Sequence, residues 1–127
     1  MPSISAEGPQ HIVLVVEDDY WQRLLATDVL EAAGYNVLEA TSADEAIAML
    51  ERRKDIRIVF TDIEMPGSMD GLKLAHAIRD RWPPIELILS SGKDRVDADQ
   101  MPAQGRFLSK PYDPNALAAA VRALTLP

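Results

Sequence analysis

The sequence of 127 residues has no cysteine, which excludes disulfides and thiolate metal sites. Its two histidines, His11 and His76, stand far apart, so a zinc centre is not expected. Positive charge is in deficit: 13 Lys and Arg face 20 Asp and Glu, for a formal net charge of −7. Nucleic acids and anionic membranes both attract cationic surface, so neither is an expected partner. No run approaches the roughly 18 apolar residues of a membrane-spanning helix. Residues 1–10, MPSISAEGPQ, lack the basic start and apolar centre of a signal peptide. They read as a disordered lead-in to one domain over 11–127, with a cytoplasmic location expected. What remains is an ordinary globular composition, 47% hydrophobic and 26% charged, in a chain long enough for a real core.

Five apolar runs alternate with helical patterns. Ile12 to Val16 is continuously apolar, as in a strand buried on both faces. Residues 20–33 follow with helical spacing, Leu25, Val29 and Ala33 marking the expected inner face and Gly34 the stop. A weaker strand, Asn36 to Ala40, leads to Ser42 and Glu45, a capping box for a helix running to about Arg53. Arg57 to Thr61 is the third strand. Asp70 caps a helix carrying Leu72, Ala75 and Ile78, which must end near Trp82 because Pro83 and Pro84 follow. Ile85 to Leu89 and Gly105 to Leu108 are the last strands. Asp113 and Pro114 open a final helix with Leu117, Val121 and Leu124 inward. Residues 91–104 are poor in large apolar side chains and interrupted by Pro102; one short helix near 94–100, then loop, is expected there.

This order, (βα)5, predicts a flavodoxin-like, doubly wound α/β fold: a five-stranded parallel sheet in the order 2-1-3-4-5 with helices on both faces. Ligands of such sheets sit beyond the carboxyl ends of the strands. There the sequence places Glu17, Asp18 and Asp19 after strand one, Asp62 and Glu64 at strand three, Ser90 and Ser91 after strand four, and Lys110 before Pro111 after strand five. Crowded carboxylates repel, and a hard divalent cation with oxygen ligands, Mg2+ above all, relieves them. A cation, a lysine and a hydroxyl around one carboxylate also suit an incoming phosphoryl group.

VVEDD at 15–19, TDIEMPGSMDG at 61–71, LSSG at 89–92 and FLSKPY at 107–112 together resemble the receiver domain of bacterial two-component response regulators, of the stand-alone chemotaxis type. The resemblance implies Asp62 as phosphoacceptor and Asp18 and Asp62 as Mg2+ ligands. It assigns Glu17 a role through water, and Glu64 a role through its backbone carbonyl. Lys110 and Ser90 would bind the phosphoryl group, Ser90 and Phe107 would form the switch, and Pro111 would follow a cis bond. Phe107 fits static core packing equally well. Asp19 reads as a helix cap, His76 as an exposed helix residue. Glu64 projects a carboxylate near the site and is expected to tune phosphoryl lifetime.

The implied function is a phosphorylation-dependent signalling switch, a regulator rather than an enzyme, which assists its own phosphotransfer and dephosphorylation. The implied partners are a sensor histidine kinase or phosphotransfer protein and a downstream protein reached by direct contact, with the chain a monomer or weak homodimer. Two features depart from the family pattern: the GSMDG turn at 67–71 is one residue longer than the common form, and the fourth helix is short. Competing readings are a phosphorylation-independent adaptor on the same fold and a receiver fragment of a longer regulator. An aspartyl-phosphate phosphatase ranks below both, because Ile63-Glu64 lacks the second aspartate such enzymes use. Trp21 and Leu24 lie off the expected core face of the first helix and form a candidate partner patch if exposed.

Overall fold

The computed structural model describes residues 12–67, 69–92 and 97–125. The lead-in at 1–10, the 93–96 portion of the expected short helix and Ser68 of the long turn lie outside them. Five strands, β1 (Ile12–Val16), β2 (Asn36–Ala40), β3 (Ile56–Asp62), β4 (Glu86–Ser91) and β5 (Arg106–Ser109), pair in parallel in the order β2-β1-β3-β4-β5. Four α-helices connect or follow them: α1 (Tyr20–Ala32), α2 (Ala43–Arg52), α3 (Gly71–Arg81) and α4 (Pro114–Thr125).

The expected boundaries of the helices coincide with their chemistry. Asp19 accepts the Gln22 N–H, Ser42 the Glu45 N–H and Asp70 the Lys73 N–H, each satisfying an otherwise orphaned amide at a helix start. Gly34 takes φ +100°, which lets the chain leave α1 and enter β2.

Side chains alternate across the sheet and build two cores. Leu14, Val16, Val59, Leu87 and Leu89 pack under α2 and α3. Val13, Val15, Ile58, Phe60 and Ile88 pack under α1 and α4, where Leu117 and Val121 are fully buried. Burying a Leu, Ile or Val side chain contributes about 1.5–3 kcal/mol, so these two layers carry the fold.

The first helix is rotated from its expected setting. Leu25 is 47% exposed, and Ala26, Thr27 and Leu30 face the sheet instead. Arg23 fixes this rotation: its Nη1 donates to the Glu17 carbonyl at 2.9 Å and its Nε to Glu39 at 3.0 Å. Tyr20 and Trp21 are therefore left outside, at 56% and 73% exposure, while Leu24 is half-buried.

The fourth crossover also differs from the alternating pattern. Among the described residues it holds a 3₁₀ turn, Ala98–Gln100, in place of an α-helix. Side chains of α3 hold this segment down. His76 Nε2 lies 2.6 Å from the Gln100 carbonyl, and Arg79 Nε donates to the Ala103 carbonyl at 2.8 Å. Arg79 Nη1 also donates to the Pro83 and Ile85 carbonyls at 2.6 and 2.8 Å. Removing this guanidinium takes the donor from three carbonyls at once, two exposed and that of Ile85 part-buried. Arg79→Ala is expected to cost about 1–2 kcal/mol, read as a lower urea midpoint at unchanged slope. Arg79→Lys should recover little of it, because an ammonium lacks the planar fork.

Candidate functional site

Strand register brings the polar strand ends together. Val16 pairs with Thr61, and Asp62 with Ser90, so Glu17, Asp62 and Ser90 lie side by side at the carboxyl ends of adjacent strands. Alternation then assigns faces. Asp62 follows Ile58 and Phe60 onto the α1/α4 side, and Ser90 follows Ile88 there. Ser91 falls on the opposite side with Leu89, whose register partner is Phe107. The two consecutive serines therefore serve different faces of the sheet.

Asp62 is 7% exposed and ends the rigid β3 strand. Lys110 Nζ lies 3.1 Å from Asp62 Oδ1 and 3.1 Å from Glu17 Oε1, one ammonium between two carboxylates. Beyond this ion pair, Oδ1 meets no other hydrogen-bond donor among the described residues. Glu17 is otherwise engaged, since Oε2 accepts the Asp19 N–H at 3.1 Å and Oε1 takes Lys110. Carboxylate oxygens of Glu17, Asp18 and Asp62 can all be chosen within 4.8 Å of one another, with Asp18 exposed. This cluster can hold a divalent cation, and its donors are the hard oxygens such an ion prefers.

The electrostatics match this crowding. Burial pushes the Asp62 carboxyl up, and Glu64 adds to the rise, while Lys110 and the Glu64 backbone pull it part of the way back. Burial likewise raises Glu17, and the Asp62 charge raises it further. Burial opposes the charge of Lys110, yet Glu17 and Asp62 outweigh it and hold its pKa above the ordinary lysine value. Tyr112, edge-on to Phe60 with ring centroids 5.8 Å apart, is pushed up to about 12 by burial and by the Glu17 and Asp62 charges.

The remaining sequence-predicted residues lie around this centre. Lys110–Pro111 is a cis peptide. Ser90 is fully buried, and its hydroxyl has no hydrogen-bond partner among the described residues. Phe107 is half-buried and packs against the α2/α3 core. Glu64 is exposed at its residue level, yet its carboxylate accepts Ser91 Oγ at 2.6 Å and the Gly92 N–H at 3.2 Å.

Sequence reasoning passed over three contributors. Ser91, read as a strand-end residue, holds Glu64. Tyr112 closes the site from the α4 side. Gly71, read as part of a helix cap, donates its N–H to the Ile63 carbonyl at 2.9 Å directly behind Asp62. The TDIEMPGSMDG motif contained Gly71 but not the reason for it. A groove of ≈ 460 Å3, lined by Gln22, Leu25, Gly92, Lys110, Pro111 and Tyr112, opens from the site toward the exposed face of α1.

Comparison with known proteins agrees with this geometry. The response regulator receiver domain model matches residues 13–122. The chain is 36% identical over 114 residues to the sensor kinase CckA of Brucella abortus (strain 2308), covering 87% of this chain and 12% of the kinase. It is also 36% identical over 108 residues to the response regulator protein FleR of Pseudomonas aeruginosa, covering 83% of this chain and 22% of that protein. The chain thus spans less than a quarter of either relative. Among solved structures, the receiver domain of the hybrid histidine kinase CckA superimposes with a TM-score of 0.77 at 31% identity, covering 91% of this chain and 99% of that domain. The receiver domain of NtrX from Brucella abortus gives 0.79 at 27% identity, over 88% of this chain and 96% of that one. Among the described residues no helix is long and apolar enough to cross a membrane.

Proposed function

The chain belongs to the response regulator receiver domain family, and on that premise we propose that it is a switch that takes a phosphoryl group from a partner's phosphohistidine onto Asp62. The observation that carries this reading is the buried Asp62 whose Oδ1 lies 3.1 Å from Lys110 Nζ at the end of β3. An Asp62 oxygen attacks the phosphorus. A P–O bond forms, the P–N bond to the donor imidazole breaks, and its electron pair leaves with the imidazole nitrogen. Lys110 lies where it neutralises charge on the transferred group, which is the main demand of this chemistry. Asp18 and Asp62 would hold Mg2+, with Glu17 acting through water and the Glu64 backbone carbonyl completing the protein's share. When bound, the ion withdraws charge from the phosphoryl oxygens.

The donor protein, a histidine kinase or phosphotransfer protein, would approach over Tyr20, Trp21 and Leu25. These exposed apolar side chains lie on α1, and Leu25 also lines the groove that reaches Lys110. Ser90 keeps its proposed contact with the phosphoryl group, because it is the register partner of Asp62 and its hydroxyl is unpartnered among the described residues. Ser91 is the better candidate for coupling to Phe107, because both belong to the α2/α3 face. Throwing such a switch from 1:99 to 99:1 requires about 5.5 kcal/mol of preference for the active state. Output then passes by protein–protein contact to a downstream partner in the cytoplasm.

Intact mass after incubation with acetyl phosphate and Mg2+ tests the acceptor. A gain of about 80 Da, one phosphoryl group, is expected for the wild type and for neither Asp62→Asn nor an EDTA-treated sample. A gain that persists in Asp62→Asn would place the acceptor elsewhere.

A further inference from the structure

The amino edge of the sheet carries a groove of ≈ 390 Å3 that the acceptor chemistry does not use. The segments entering β3 and β4 form its two walls. Arg53, Lys54 and Arg57 stand on the first wall and Arg81 on the second, and among the described residues no carboxylate lines it. Four cations thus gather at one edge of a chain whose net charge is −7. Ile56 and Asp62 are the two ends of β3, about 20 Å apart, so the groove is separate from the acidic cluster.

The backbone is shaped to present these charges. Ile12 pairs with Ile56, but Val13 pairs with Ile58, so Arg57 is an extra residue in β3. This bulge sends Ile56 and Ile58 into opposite cores and leaves Arg57 exposed at the groove. On the second wall, Trp82, Pro83 and Pro84 supply a stiff apolar lining. The Ile85 N–H donates to the Trp82 carbonyl at 3.0 Å and closes that turn. Arg53 and Arg81 pair with the exposed carboxylates of Asp55 and Glu51, at 2.8 Å each. Exposed pairs of this kind hold weakly and yield to an incoming anion. Lys54 and Arg57 form no ion pair among the described residues.

Size and charge select the occupant. Nine residues line the groove, well short of the roughly 20–30 that a stable protein interface uses on each side. Its volume lies instead within the range of small-molecule sites, about 300–1,000 Å3. Three of the four cations are arginines, whose planar forks each take two phosphate oxygens. A chain of phosphates offers charge to both walls at once. We propose that this groove binds a small molecule carrying two or more linked phosphates, held by Lys54 and Arg57 on one wall and Arg81 on the other. The site is independent of phosphoryl transfer to Asp62.

Inorganic pyrophosphate and UDP are the probes, titrated into the whole chain in EDTA, where no Mg2+ bridges them to the acidic cluster. Calorimetry gives the affinity. Trp82 fluorescence gives the place, in a Trp21→Phe background that leaves Trp82 as the single tryptophan. One site half-saturated below about 1 mM at low salt is expected, with Trp82 emission changing at the same midpoint. Lys54→Ala/Arg57→Ala should weaken binding about tenfold, the worth of one charge-assisted contact or more. Both side chains are exposed, so the urea midpoint should hold. Lys54→Ala alone lies outside the bulge and should still weaken binding about threefold. Lys73→Ala, which removes an exposed charge near the acceptor end of α3, should leave the affinity unchanged. UDP binding several-fold tighter than pyrophosphate would assign the ligand an organic portion resting on Trp82 and the prolines. Equal affinities would assign an inorganic phosphate chain. Half-saturation above about 1 mM for both probes, an affinity that Lys54→Ala/Arg57→Ala leaves unmoved, or an equal loss in Lys73→Ala would overturn the proposal. Binding of hexaglutamate in place of both probes would also overturn it, in favour of an acidic protein segment.

Discussion

Gly71→Ala is expected to lower the stability of the domain by about 3–5 kcal/mol and to abolish phosphoryl acceptance at Asp62. A Cβ placed on Gly71 would lie 1.8 Å from the Asp62 carbonyl oxygen, 2.7 Å from its carbonyl carbon and 2.9 Å from Ile63 Cα. All three are backbone atoms of the strand end and cannot swing aside as a side chain would. Either α3 backs away and gives up the Gly71 to Ile63 hydrogen bond, or the Asp62 backbone moves off its register with Ser90. Both outcomes misplace the carboxylate relative to Lys110. Urea denaturation measures the first effect and intact mass with acetyl phosphate the second. Gly92→Ala is the matched control for stability. Among the described residues an added methyl there meets nothing within 4 Å, and its cost should stay within about 0.5 kcal/mol. A Gly71→Ala protein as stable as wild type would mean that α3 is far more loosely seated than the contact implies.

Asp62→Asn should have the opposite effect on stability. In EDTA at pH 7 it is expected to melt about 4 °C above wild type, roughly 1 kcal/mol, although it accepts no phosphoryl group. Burial raises the pKa values of Asp62 and Glu17 above those of the unfolded chain. A carboxyl raised on folding favours the fold below its unfolded value. That contribution is lost as pH climbs through the folded value. The wild type therefore forfeits stability between about pH 4 and its raised folded values, and the amide variant does not feel the Asp62 share. The gap between the two proteins should close toward acid pH. Saturating Mg2+ should reverse their order near neutrality, since an ion at 100 times its dissociation constant stabilises the folded site by about 2.7 kcal/mol. Melting curves at several pH values, with and without Mg2+, test all of this. A variant that melts below wild type in EDTA would show that Asp62 is a net stabiliser through Lys110.

The strand ends were legible in the sequence because a strand buried on both faces reads as an unbroken apolar run, and its first polar residue marks the edge. Glu17 is found in this way, Asp62 and Lys110 stand one residue past the first polar ones, Thr61 and Ser109, and parallel topology brings all three together. The same property hid the division between Ser90 and Ser91. In ELILSS both faces are apolar, so no alternation could be counted, and the faces are assigned by the placement of Ile88 and Leu89 in opposite cores.

The rotation of α1 was misjudged for a related reason. Leu25, Val29 and Ala33 form a plausible stripe, but the helix seats itself on small side chains, Ala26 and Thr27, with Arg23 anchoring its start. Small residues at a close interface leave little signal in a hydrophobic pattern. The fourth crossover was unreadable past Gly92 because its attachment comes from outside. His76 and Arg79, which look like surface residues of α3, bind backbone carbonyls of the neighbouring segment, and carbonyls carry no sequence signature.

Those attachments give α3 a mechanical property. Its first residue is wedged against the backbone of Asp62 and Ile63, with no room for even a methyl group. Its last turn grips the carbonyls of Pro83, Ile85 and Ala103, and Arg81 stacks on Trp82 with 4.3 Å between the guanidinium and the ring centre. Between the two ends lie 11 residues, a stiff rod of about 16 Å. A shift of the strand end under Asp62 would press directly on the start of this rod and is expected to tilt it. It arrives at Trp82 and the loop beside it, on the far side of the sheet from the acidic cluster.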